Sequence, residues 1–165
     1  MRLLHYSNEE FEFDPTMEYR DFHYSKPNGL WVSVEGEDDW KWWCEAEEFQ
    51  LENLTVSYEV KLKENANILY LNSPEELFAF TKELFAFTKK YPFATRVFDK
   101  EYDTYKLNWA KIKEKYQGII IPKYFWECRL ALESNWYYGW DCASGCIWDL
   151  NCIDEFNLTK EEEGK

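Results

Sequence analysis

His5 is one of only two histidines in the chain, and Tyr6 and Ser7 follow it directly. Trp31 and Ser33 occupy alternate positions in Gly29-Leu30-Trp31-Val32-Ser33. Asp141 stands between Trp140 and Cys142, with Trp136-Tyr137-Tyr138-Gly139 before it and Ala143-Ser144-Gly145 after it. Each stretch offers a different chemistry. An imidazole flanked by hydroxyls is a polar anchor for a ligand hydroxyl. An indole and a hydroxyl on one face of a strand suit a flat ring that carries an amide. A carboxylate among aromatics is partly desolvated, so it needs a partner or a raised pKa, and it stabilises positive charge that develops beside it. The plain alternatives stand beside these. His5 reads equally as a half-buried strand residue with one backbone partner, and Trp31 as ordinary core.

Other constellations are weaker. Asp149 follows Trp148 and is the second candidate acid; as a strand residue it also reads as a turn cap or a solvent-facing group. Asp154 and Glu155 lie beyond it, and Glu127 and Glu133 in the segment before it. Ser144 lacks a nucleophile elbow and a neighbouring histidine. Cys142 or Cys146 with His5 or His23 would make a Cys–His enzyme only if folding joined them. The five cysteines, Cys44, Cys128, Cys142, Cys146 and Cys152, lack zinc-ligand spacing, so no metal site is expected.

A chain of 165 residues with 45% hydrophobic content can bury a core as one domain. Aromatics reach 20%, with nine Trp, which suits an aromatic core or a stacking surface. The net charge of −13 opposes passive coating of DNA or RNA. The same acidity leaves a rival function open: a non-catalytic interaction protein that mimics nucleic acid and blocks a partner. Met1-Arg2-Leu3-Leu4 runs into polar residues without an apolar leader, and no apolar run nears the ~20 residues of a membrane span. With an odd cysteine count, this reads as a reduced, cytoplasmic protein without membrane contact.

These residues must be held by short elements. Residues 2–6 read as a first strand, residues 8–26 as loop, and Lys26-Pro27-Asn28-Gly29 as a turn leading into a strand over Leu30–Val34. Asp38 or Asp39 caps a helix running to about Phe49. Leu54, Val56, Tyr58, Val60 and Leu62 alternate with polar residues, the clearest strand pattern in the chain. Ile68–Leu71 is a shorter strand. Ser73-Pro74-Glu75-Glu76 is a capping box that opens a helix. That helix contains a seven-residue tandem repeat, residues 76–82 and 83–89, read as a lengthened amphipathic helix rather than a coiled coil. Residues 102–115 are expected to be helical, Gly118–Ile121 a buried strand, residues 123–140 an aromatic connection with some helix, and Gly145–Ile153 a last strand. The pattern predicts an α+β domain over residues 1–156 with a mostly antiparallel sheet, and a charged tail over 157–165.

Leu3-Leu4-His5-Tyr6-Ser7 resembles the first strand of the histidine-type ADP-ribosyltransferases, in which a short His-Gly-Ser or His-Thr-Ser stretch holds the NAD ribose. Gly29-Leu30-Trp31-Val32-Ser33 is similar to their second strand, with Trp31 where the family usually has Tyr. Tyr116-Gln117-Gly118-Ile119-Ile120-Ile121 resembles the strand before the catalytic one in small phage enzymes of this type, including an ADP-ribosylating anti-CRISPR. Asp141 followed by Cys146-Ile147 resembles their catalytic Asp and its spacing. The resemblance covers about three patches of the chain. It implies an ADP-ribosyltransferase-like split antiparallel sheet with flanking helices. It also implies NAD as co-substrate, bound by His5, Tyr6, Ser7, Trp31 and Ser33, with Asp141 as catalytic carboxylate. His5 would hydrogen-bond the 2′-hydroxyl of the nicotinamide ribose, and Trp31 would stack on nicotinamide. ADP-ribose would pass to a macromolecular acceptor, a protein side chain ahead of a nucleic-acid base given the charge, in a phage–host or toxin setting. Two departures from the family are evident. Its usual Glu at the start of the last strand is Gly145 here, and residues 122–140 form an insertion.

Overall fold

Strict alternation builds the strand at Val56–Leu62 (β3), where Tyr58 and Val60 are buried and Lys61 is exposed. In the computed structural model, which describes residues 1–20, 26–86, 94–95, 106–107 and 109–159, this strand lies near one edge of a curled seven-stranded sheet. The other members are β1 (Leu3–Ser7), β2 (Leu30–Val34), β4 (Ile68–Tyr70), β7 (Gly118–Ile121), β8 (Ser144–Ile147) and β9 (Ile153–Leu158). Their order is β4-β7-β8-β2-β1-β3-β9. A separate two-stranded pair joins β5 (Ala94–Thr95) to β6 (Lys106–Leu107). The protein is α+β, with helices α1 (Trp40–Glu47), α2 (Pro74–Ala86) and α3 (Trp109–Lys113).

The sheet is mixed rather than wholly antiparallel. β4 and β7 run parallel, a pairing that requires a long crossover, and here the crossover carries α2 and α3. One strand order runs through all seven strands, so the expected split does not divide the sheet in two. The strands part only locally. The β1–β2 ladder contains Leu3↔Val34 and Leu4↔Ser33 and goes no further.

Each face of the sheet has its own core. Leu3, Val32, Val34, Val60, Ile120 and Ile147 pack on one face. On the other, Ile119, Ile121 and Cys146 meet Leu77 of α2, Ile112 of α3 and the tryptophans 109, 136 and 140. Helix caps follow local rules. The Asp39 carboxylate accepts from the Trp42 N–H at the start of α1. Ser73 Oγ accepts from Glu76 N, while the Glu76 carboxylate accepts from Asn72 N, closing a capping box one residue early. Helix α2 carries the first heptad copy and runs into the second as far as Ala86; positions 87–89 lie outside the described residues.

Three expectations are corrected. Residues 145–153 are not one strand: the Asp149 side chain caps a 3₁₀ turn at Leu150–Cys152, which separates β8 from β9. Strand β9 pairs with β3, and Thr159 N still donates to Ser57 O, so the ordered sheet reaches past the tail boundary expected at 157. Of the helix expected over residues 102–115, Trp109–Lys113 is helical as α3 and Lys106–Leu107 is strand instead; positions 102–105 and 108 lie outside the described residues. No helix among the described residues is long and apolar enough to cross a membrane.

Candidate functional site

The Lys26-Pro27-Asn28-Gly29 turn enters β2 and is pinned from several sides. Asn28 Nδ2 donates to Arg20 O at 2.8 Å, Lys113 Nζ donates to Asn28 O at 2.8 Å, and the Cys146 thiol faces Pro27 O. Across from it, the 141–143 segment is tied down by its backbone. Ala143 N donates to Asp38 O at 2.7 Å, and Val34 N donates to Ala143 O at 2.9 Å. Between these two anchored segments and β1 lies a cavity of about 310 Å³. His5, Tyr6, Trp31, Ser33 and Asp141 all line it. Residues from β1, β2 and the approach to β8 therefore meet at one place. Ser7 does not: at the end of β1 its hydroxyl donates to Glu9 O and accepts from Glu9 N, a local turn outside the cavity.

His5 occupies the gap where β1 and β2 part. Its Nδ1 lies 2.8 Å from Trp31 O. A carbonyl only accepts, so Nδ1 carries the proton, and in the neutral ring Nε2 is the acceptor nitrogen. Burial pushes the imidazole pKa below its usual 6.5, and the carbonyl bond opposes this only in part. By strand alternation His5 shares the face of Leu3, and its ring packs edge-on against Phe11 and tilted against Phe156. It does not stand beside Trp31 and Ser33 on their face, as a shared-face reading would place it; it reaches the cavity from between the strands.

Ser33 is buried, and its Oγ accepts from Trp40 N at 2.9 Å, so the hydroxyl that lines the cavity also holds the start of α1. Tyr6 sits on the same face. Burial, then the carboxylates of Asp39 and Glu35, push its phenol up to about 12, so it stays a neutral donor.

Trp31 presents one side to Trp140, edge-on at 5.0 Å between centroids. Over its ring stands Lys26 Nζ, 5.4 Å from the centroid. The same ammonium lies 3.4 Å from Asp141 Oδ2. A side chain on Gly139 would strike the Lys26 stem at 2.8 Å, so that glycine is what lets the lysine lie here. The half-buried Asp141 carboxylate thus has a charged partner, Lys26, that spacing along the chain did not reveal. Trp40, Asn53 and Trp140 were also missed as cavity walls. Trp140 Nε1 is buried without a hydrogen-bond partner among the described residues.

The remaining candidates have other work. Asp149 Oδ2 accepts from Gln117 Nε2 at 2.7 Å, and Oδ1 accepts from Asn151 N and Nδ2. Burial acts to raise its pKa, yet those bonds prevail and hold it below the usual carboxylate value. Glu155 pairs with Lys61 on the surface. Ser144 Oγ donates to Cys142 O, and burial pushes the Cys142 thiol up to about 12, so neither is an activated nucleophile. All five cysteines are buried and none is disulfide-bonded. Gly145 cannot carry an acid: a Cβ there would sit 2.6 Å from Ile119 O.

The chain matches no protein-family model, no curated protein and no solved structure.

Proposed function

We propose that this cavity binds NAD and that the protein transfers ADP-ribose to a macromolecular acceptor, with Asp141 as the catalytic carboxylate. The observation that carries the reading is the meeting of His5, Tyr6, Trp31, Ser33 and Asp141, far apart in the chain, around one cavity. In the proposed reaction the bond between ribose C1′ and the nicotinamide nitrogen breaks, and its electron pair leaves with neutral nicotinamide. Positive charge grows on the ribose, and a carboxylate beside it favours the transition state over the ground state. The acceptor's lone pair then forms the new bond to C1′ and its proton is released. His5 Nε2, an acceptor in the neutral ring, suits a ribose hydroxyl. The ADP-ribosyltransferase-like architecture is part of this proposal. So is a reducing, cytoplasmic setting, which the five unbridged thiols support.

The test is incubation of wild-type protein and Asp141→Asn with a cell extract and tagged NAD, followed by mass spectrometry of labelled protein and nucleic acid. Wild type is expected to label an acceptor, and Asp141→Asn to do so about 10²-fold more slowly. Full labelling by Asp141→Asn would remove Asp141 from its role. The second reading, an acidic interaction protein, is favoured by one feature: Glu35, Glu37, Asp38 and Glu127 line a separate cavity in which, among the described residues, Lys123 is the one basic residue. It gains if NAD neither binds nor is consumed.

A further inference from the structure

We infer that the face of Trp31 and the carboxylate of Asp141 form a site for a flat aromatic cation, and that the Lys26 ammonium competes for it. Three contacts define it. The ammonium stands 5.4 Å above the Trp31 ring and 3.4 Å from Asp141 Oδ2. The stem lies along Gly139, where any side chain would displace it. An indole face backed by an anion attracts positive charge by its quadrupole and by Coulomb attraction together. Trp31 is held edge-on by Trp140 and carries Lys26 over its ring.

Exchange decides what can enter. A neutral ring that evicts Lys26 strips Asp141 of its partner and leaves a partly buried carboxylate alone. A cationic ring replaces one charge with another and keeps the pairing. The Lys26 side chain is 39% exposed, so it can swing outward. The ligand class is therefore a pyridinium-like cation in preference to its neutral analogue. This rests on the proposed NAD function for the identity of the natural ligand, and it selects the oxidised, positively charged ring over the reduced one. Lys26 then acts as a stand-in that keeps Asp141 paired until that ring arrives.

Calorimetric titration with 1-methylnicotinamide, a permanent cation, and nicotinamide, its neutral analogue, tests the inference. The proteins are wild type, Lys26→Met, which keeps the stem, and Lys26→Arg, which keeps the charge; thermal melts confirm that each is folded. Wild type and Lys26→Arg should prefer the cation. In Lys26→Met both probes should bind about tenfold more tightly, because the competitor is gone, and the cation should still be preferred. The inference is overturned if Lys26→Met binds both probes as wild type does, or if it loses affinity for the cation. Should the cation gain affinity in Lys26→Met while NAD binds none of the proteins, the cation site stands and the NAD function falls. Should NAD bind wild type and Lys26→Met alike, with no gain for the cation, the function stands and this inference falls.

Discussion

Gly145→Ala should destabilise the protein without touching a charged group. Gly145 lies between two strands, opposite Val32 in β2 and Ile120 in β7. An added Cβ would meet Ile119 O at 2.6 Å, Ile120 Cγ1 at 2.7 Å and Ile120 Cα at 3.2 Å. Two of those atoms are backbone of a strand whose four residues are all buried, so relief requires moving β7 away from β8. Overpacking of this kind costs about 1–3 kcal/mol. At this chain length each kcal/mol lowers the melting temperature by about 2–4 °C, so a fall of roughly 2–12 °C is expected. Gly36→Ala is the control. A Cβ at Gly36 meets nothing within 4 Å and its φ is not positive, so that change should gain about 0.4–1 kcal/mol. Urea titration of both variants measures the difference. A Gly145→Ala protein within about 0.5 kcal/mol of wild type would refute the argument. It would also reopen Gly145 as a position able to carry a side chain.

Further outcomes follow from the same contacts. Asp149→Ala removes the acceptor of three hydrogen bonds and should lower stability by about 1–2 kcal/mol in denaturant titrations, while leaving ligand affinity unchanged. His5 is held below its unfolded value of 6.5, so the unfolded chain takes up that proton first. Stability should therefore be full above pH 6.5 and fall as pH drops through that value. His5→Gln should flatten the fall in melts between pH 7 and 5, and an unchanged slope would contradict the burial argument.

Local pattern foretold the elements whose side chains obey one rule. The alternation at β3 and the Asp39 cap of α1 are of this kind. The end of the chain misled because Trp148-Asp149-Leu150-Asn151 looks continuous with β8. The Asp149–Asn151 side-chain bonds make it a turn instead, and this was the signal available. That β1, β2 and the 141 loop line one cavity was readable, but the orientation of their side chains was not. Where β1 and β2 part, His5 bonds a backbone carbonyl rather than facing Trp31's side. Ser7 was included because His5-Tyr6-Ser7 resembles a His-x-Ser stretch, yet hydroxyls at strand ends often close local turns, as it does with Glu9. Lys26 could not be found by spacing, since its partner Asp141 is 115 positions away and depends on how the 26–29 turn docks.

Calorimetric titration of NAD into wild type and Trp31→Ala tests the central claim most directly. The account predicts one NAD per chain for wild type. It also predicts an affinity at least about fivefold weaker in a folded Trp31→Ala, from the lost stacking face. No binding heat from wild type at millimolar NAD, or equal affinity in the two proteins, would contradict it.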